Sequence, residues 1–186
     1  MQEQGGKKVK FVAVEKAQWR EVREIYLEAF PKRERKPFPI LRWSARRGKV
    51  KVLAAVEDGV LQGFTAVIPW RDMVMVDYLA VSGSTRGKGT GSRIMGEVCR
   101  QYAGKRVVLL IERLDDRADN REQRIARRRF YYNNGFTSAG IFIQGAGGDM
   151  EVLTSGGPVS PEEYLGLQKY ALGGLLFRLS GIRVTN

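Results

Sequence analysis

Three glycines alternate with Lys88 and Thr90 behind an arginine in the run Arg86-Gly87-Lys88-Gly89-Thr90-Gly91. A backbone without Cβ atoms can turn sharply from a strand into a helix and let successive N–H groups converge on an anion. The start of the following helix adds positive potential, and Arg86 and Lys88 add full charge. The chemistry this supports is the holding of a pyrophosphate. The spacing is G-x-G-x-G, so it is not the G-x-G-x-x-G dinucleotide fingerprint, and no lysine followed by Ser or Thr completes a P-loop.

Carriers for proton chemistry are few. The 186 residues contain no histidine and one cysteine, Cys99. The usual general base and zinc ligand are therefore missing, an intramolecular disulfide is impossible, and no metal site is expected. Carboxylates, tyrosines, water or the substrate must move any proton. Cys99 falls in an apolar helical pattern and is expected in the core rather than as a nucleophile. The 32 Lys and Arg against 20 Asp and Glu leave a formal charge of +12, which attracts nucleic acid, anionic membrane surfaces or a phosphorylated cofactor alike. Residues 1–10 lack the apolar run of a secretory signal, and no segment approaches the about 18 apolar residues of a membrane span. The expectation is a soluble, cytoplasmic protein without membrane insertion.

These residues need elements to position them. Val9 to Val14 reads as a strand, and Trp19, Val22, Ile25, Tyr26 and Phe30 recur at helical spacing until Pro31 stops the run. Ile40 to Arg47 predicts a short second helix. Lys49 to Val56 and Val60 to Pro69 flank the turn Glu57-Asp58-Gly59 as antiparallel strands, and Met73 to Val81 adds another. Ser92 to Tyr102 is an amphipathic helix, Arg106 to Ile111 a strand covered on both faces, and Asp119 to Asn133 a basic helix. Two strands, Thr137 to Ile143 and Asp149 to Thr154, precede a capped helix starting at Ser160-Pro161-Glu162-Glu163. Leu175, Leu176, Phe177, Leu179 and Ile182 are expected to pack against the domain. The pattern is α/β (mixed α+β), a mixed central sheet with helices on both faces, in one domain over 1–186. Residues 1–8 read as a flexible tail and 160–186 as a C-terminal helical extension.

Leu79-Ala80-Val81 followed by Arg86-Gly-Lys-Gly-Thr-Gly91 resembles the cofactor-binding signature of the GNAT superfamily of N-acetyltransferases, R-G-x-G-x-G/A after a central strand. Phe130-Tyr131-Tyr132-Asn133-Asn134-Gly135-Phe136 resembles its F-Y-x-x-x-G-F motif. The two occur in the family's order, and the resemblance in element order covers about residues 9 to 155. It implies the acyl-CoA N-acyltransferase fold, with parallel strands around 73–81 and 106–111 splayed into a V. It also implies an acyltransferase using acetyl-CoA and releasing coenzyme A.

Under that resemblance, pantetheine takes main-chain hydrogen bonds from Leu79, Ala80 and Val81. Its pyrophosphate lies on the N–H groups of Arg86, Gly87, Lys88, Gly89, Thr90 and Gly91. Arg124 and Arg128, one helical turn apart, are assigned to the cofactor's phosphorylated end. A neutral amine must attack the thioester, and holding a lysine-like amine neutral at pH 7 costs about 4.6 kcal/mol, which a carboxylate or water chain can reduce. Asp77 is the first base and Glu112 the second. Tyr131 corresponds to the family's general acid. Phe30, Glu34, Asp72 and Glu151 are assigned to the acceptor, and the walls 30–47 and 145–150 to its selection.

The acceptor itself stays open between small molecule and protein, with a cationic small amine favoured by those acids. Two other readings stand beside the transferase. A basic RNA- or nucleic-acid-associated module rests on the arginines of 121–129 with Tyr131 and Tyr132 as stacking surfaces, against which no nucleic-acid module signature is found. The other is an inactive acyl-CoA sensor of the same fold. A homodimer is left open.

Overall fold

The structure, a computed structural model, describes residues 9–32, 35–145 and 148–185. The expected tail 1–8 and Glu34 lie outside the described residues. In chain order the elements are β1 (Lys10–Ala13), α1 (Trp19–Ala29), α2 (Phe38–Arg46), β2 (Lys51–Glu57), β3 (Val60–Trp70), β4 (Met73–Val81), α3 (Thr90–Gln101), β5 (Arg106–Glu112), α4 (Arg121–Asn133), β6 (Thr137–Gly145), β7 (Gly148–Ser155), α5 (Pro161–Leu172), α6 (Gly174–Leu179) and β8 (Arg183–Thr185). A 3-10 turn, Gly83–Thr85, separates β4 from α3. The eight strands form one mixed sheet in the order β1-β2-β3-β4-β5-β7-β6-β8. Strands β4 and β5 pair in parallel, Met73–Val76 against Arg106–Leu109, as the resemblance implied. The chain packs as two compact units, Met1–Val67 with Tyr78–Val98, and Ile68–Asp77 with Cys99–Asn186.

In the first unit the Asp58-Gly59 turn has positive φ at both residues, 50° and 79°, the primed geometry whose twist matches a two-residue hairpin. It sets β2 against β3 in antiparallel register. Helix α1 turns Val22, Ile25 and Tyr26 inward, as their spacing predicts. Tyr26 meets Phe30, Phe38, Phe64 and Tyr78 in one aromatic cluster. Hydrogen bonds lock it: Tyr26 Oη donates to Lys36 O at 2.9 Å, and Lys36 N donates to Tyr78 Oη at 3.1 Å. These bonds tie the charged 35–37 segment to the end of β4. Gly63 of β3 lies so close to β4 that a Cβ there would stand 2.5 Å from Ala80 O.

In the second unit β5 is the central strand, parallel to β4 on one side and antiparallel to β7 on the other, with Val107, Val108, Leu109 and Ile111 buried. Ser160 caps α5 in a reciprocal capping box with Glu163, the start signal legible in the sequence. That helix buries Tyr164 and Leu167, and Gln168 donates to both Tyr164 Oη and Met75 Sδ of β4. Arg106, at the start of β5, donates to Glu163 at 2.7 and 2.9 Å and to Asp72 at 2.6 Å, joining α5 to the β3–β4 turn.

The C-terminal expectation needs correcting. Leu175, Leu176 and Leu179 are 72%, 57% and 74% exposed and do not pack on the domain; Phe177 and Ile182 are half-buried. Gly173, at φ 82°, ends α5 and starts α6 in a new direction, so the apolar run is not a continuation of the buried face. After it, Arg183–Thr185 pairs with β6 as an additional strand.

Candidate active site

The first unit contains the glycine turn. Gly87 and Gly89 have φ of 78° and 77°, and a Cβ at either would meet nothing, so backbone conformation alone requires glycine. The turn from residue 86 to 89 is exposed, and α3 begins at Thr90. Among the described residues, the main-chain N–H groups of Gly87, Gly89, Thr90 and Gly91 have no protein acceptor. Unpartnered donors at a helix start form an anion cradle. The two cations brace the turn itself: Arg86 Nε donates to Val81 O at 3.4 Å and Lys88 Nζ to Ser84 O at 3.1 Å.

Glu28, which no sequence signal marked, also bears on this turn. Its carboxylate accepts from Gly83 N–H at 3.5 Å and pairs with Arg86 at 3.3 Å. A Cβ at residue 83 would stand 2.3 Å from Glu28 Oε1, so the glycine there makes room for the acid. Leu79, Ala80 and Val81 complete β4 beside the turn, with Ala80 buried and Leu79 and Val81 half-buried. Phe30 packs edge-on against Tyr78, ring centroids 5.0 Å apart, and so helps to hold β4.

Tyr131 lies in the second unit, on the last turn of α4, between the rings of Phe130 and Phe136. Its side chain keeps partial exposure, and its hydroxyl has no hydrogen-bond partner among the described residues. Burial nevertheless pushes its pKa up to about 12, with the charge of Arg127 pulling the other way. The phenol stays protonated at neutral pH. Asp77 is half-buried on β4, and its charge joins burial in raising Tyr164, against a hydrogen bond from Gln168 that lowers it. The thiol of Cys99 is half-buried rather than in the core, and burial raises its pKa, which suits neither thiolate nor nucleophile.

The remaining acids and arginines are engaged with one another. Glu112 at the end of β5 accepts from Asn120 at 3.1 Å and from Arg127 at 2.9 Å, and it pairs with Arg124 at 3.4 Å. A carboxylate so occupied ties the end of β5 to α4. Arg124 further donates to Asn120 Oδ1 and Arg113 O, so its guanidinium is committed here rather than to a phosphate. Arg128 donates to Glu151 and Tyr132 Oη; Glu151 is 1% exposed, and this buried pair leaves it no face for an acceptor. Asp72 sits in the β3–β4 turn on Arg106, before β4 begins, while Asp77 lies further along that strand. The sequence reading missed Asn120, Arg127 and Arg106 because their partners are distant in the chain.

Comparison with known proteins follows the same outline. The Acetyltransferase (GNAT) family model matches residues 19–136. A GNAT-family protein from Bacteroides thetaiotaomicron superposes with a TM-score of 0.71 at 19% identity, over 94% of this chain and 99% of that one. An aminoglycoside 6'-N-acetyltransferase complexed with coenzyme A gives 0.63 at 16%, over 78% and 96%. The ribosomal-protein-S18-alanine N-acetyltransferase of Escherichia coli gives 0.61 at 14%, over 83% and 97%. No curated protein matches at the sequence level.

Proposed function

Because the chain belongs to the Acetyltransferase (GNAT) family, we propose that it binds acetyl-CoA on the glycine turn and passes the acetyl group to a primary amine by direct attack. The observation that carries this reading is the row of unpartnered N–H groups at Gly87, Gly89, Thr90 and Gly91. A similar fold is known in complex with coenzyme A, which supports the same ligand here. Arg86 and Lys88 shape the turn and contribute screened attraction to the phosphates. Leu79, Ala80 and Val81 offer main-chain groups to the pantetheine arm, and an N–H of Leu79 or Ala80 polarises the thioester oxygen.

When bound, acetyl-CoA supplies a thioester carbonyl and a thiolate as leaving group. Asp77, half-buried on β4, takes the proton of the attacking amine, directly or through water. Tyr131 holds its proton at Oη for the departing sulfur. Cys99, protonated and half-buried, forms no covalent intermediate.

The acceptor reading changes with the engaged acids. Asp72 and Glu151 are taken by Arg106 and Arg128, so they do not form an acidic lure for a cationic amine. The wall from Phe30 to Arg47 is strongly basic, which favours a neutral amine or one on an anionic carrier, small molecule or protein. A thiol-release screen against chemically diverse amines, with mass identification of the product, tests the proposal. Acetylated amine formed stoichiometrically with free coenzyme A supports it; cofactor binding with no amine accepted rejects transfer. With the amine so identified, Asp77→Asn should lower kcat, and an unchanged kcat removes Asp77 as base.

A further inference from the structure

Positive charge is concentrated in one short segment. Residues 32 to 51 contain nine Lys or Arg and a single acid, Glu34. Among the described residues, Arg35, Arg42, Arg46, Arg47 and Lys51 have no carboxylate partner. Four of the five arginines at 121–129 contrast with this: Arg121, Arg124, Arg127 and Arg128 are each paired with an acid. The sequence placed a nucleic-acid surface on that second run, where the structure largely neutralises the charge. At α2 and its flanks, by contrast, the dense run of Arg42, Arg46, Arg47 and Lys51 is left without acid partners among the described residues.

Helix α2 also displays the right kind of apolar group. Leu41 faces inward at 2% exposure, while Trp43 is 56% and Ile40 49% exposed. Arg47 lies over the Trp43 ring at 5.0 Å, and Arg42 over Trp19 at 6.0 Å. Exposed indole among guanidinium groups makes a platform on which a base can stack while the cations meet phosphates. Lys36 and Lys49 are close enough that the charge of one, added to burial, lowers the pKa of the other. Holding like charges together is unfavourable until an anion relieves it.

We propose that α2 and its flanks form a docking surface for single-stranded nucleic acid, with Arg42, Arg46 and Arg47 on phosphodiesters and Trp43 stacked on a base. A second copy of the chain would bring the same cationic segment against itself. A bilayer needs a continuous apolar face, whereas Ile40 and Trp43 stand among arginines. An acidic protein would satisfy the charge and leave the indole unused. The surface lies on the wall assigned above to acceptor selection, but its exposed indole and the arginines around it stand whether or not the chain transfers acetyl groups.

The test is fluorescence anisotropy of labelled RNA and DNA strands of the same sequence, about 20 nucleotides and so longer than a typical single-strand site. Titrations of the intact protein run from about 50 to 200 mM salt. Binding of either strand, weakening linearly in log–log form with salt, is expected; the stronger strand identifies the source. The exposed double variant R46E/R47E should weaken binding at least tenfold and reduce the salt slope by about 1.4, two phosphate contacts on a single strand. W43A should weaken binding about 5- to 150-fold with the slope unchanged, the loss of one stacked base. Thermal midpoints equal to wild type confirm that both variants fold. No binding at the lowest salt, or affinity indifferent to both variants, overturns the proposal. So does tighter binding to phosphatidylserine vesicles than to either strand, which would assign the surface to a membrane.

Discussion

Replacing Tyr131 by Phe removes one oxygen and leaves the ring between Phe130 and Phe136, at centroid distances of 5.0 and 5.8 Å. No protein group loses a hydrogen bond, because the hydroxyl has no partner among the described residues. Burial raises this phenol to about 12. A free thiol has a reference pKa of about 8.5, so full proton transfer from Tyr131 to a departing thiolate is uphill by roughly 3.5 units, about 4.8 kcal/mol. The phenol therefore stabilises the sulfur chiefly as a hydrogen-bond donor, an interaction worth about 1.5–3 kcal/mol when the acceptor is charged. Tyr131→Phe should slow the chemical step about 10- to 150-fold, at the lower end of what loss of a general acid produces. The assay is rapid-quench single turnover at saturating acetyl-CoA with the amine found in the screen, alongside calorimetric coenzyme A affinity and melting temperature, both unchanged. Ionisation near 12 also means that no activity is lost through Tyr131 between about pH 8 and 10, the range below an ordinary tyrosine's titration. An unchanged single-turnover rate would refute the donor role. An alkaline limb near pH 10 that vanishes in Tyr131→Phe would refute the raised pKa.

Gly89→Ala introduces no clash but forces a left-handed backbone, at about 1–2 kcal/mol, and should reduce coenzyme A affinity tenfold or more by calorimetry. Undiminished affinity would move the cofactor away from this turn. Gly63→Ala drives a Cβ to 2.5 Å from Ala80 O, and overpacking of about 1–3 kcal/mol should lower Tm by roughly 2–12 °C in calorimetric scans. A Tm within a degree of wild type would contradict the close approach of β3 and β4. The Arg106 guanidinium, aided by Ser160 N–H, holds the Glu163 carboxyl down to about 2. A depressed acid stabilises the fold above its ordinary pKa and ceases to do so as pH falls through its folded value, so this contribution fades between about pH 4.3 and 2. Glu163→Gln should be less stable than wild type at pH 7 and converge with it near pH 2 in urea midpoints. A constant gap would refute the linkage.

Local signals carried the fold and the glycine turn. The primed Asp58-Gly59 hairpin, the inward stripe of α1, the Ser160 capping box and the positive φ values at Gly87 and Gly89 all depend on neighbours within a few residues, which a sequence displays directly. Charge partners are a different kind of fact. Glu112 meets Arg127 fifteen positions away, Arg128 meets Glu151 across twenty-three, and Arg106 meets Glu163 across fifty-seven. Composition shows acids and arginines in abundance but not which are spoken for. For that reason Glu112, Arg124, Arg128, Glu151 and Asp72, read from the sequence as facing ligands, are each found paired with another side chain of the protein. The α6 leucines failed differently, because apolar residue type indicates burial only while the helix keeps its direction, and Gly173 changes it.

The central claim, that backbone donors from Gly87 to Gly91 hold linked phosphates, is tested most directly by calorimetric titration of the wild-type protein with coenzyme A and, separately, with pantetheine, which lacks the pyrophosphate. Coenzyme A should bind at one site per chain and pantetheine at least a hundredfold more weakly. Equal affinity for the two, or no heat with coenzyme A, would contradict it.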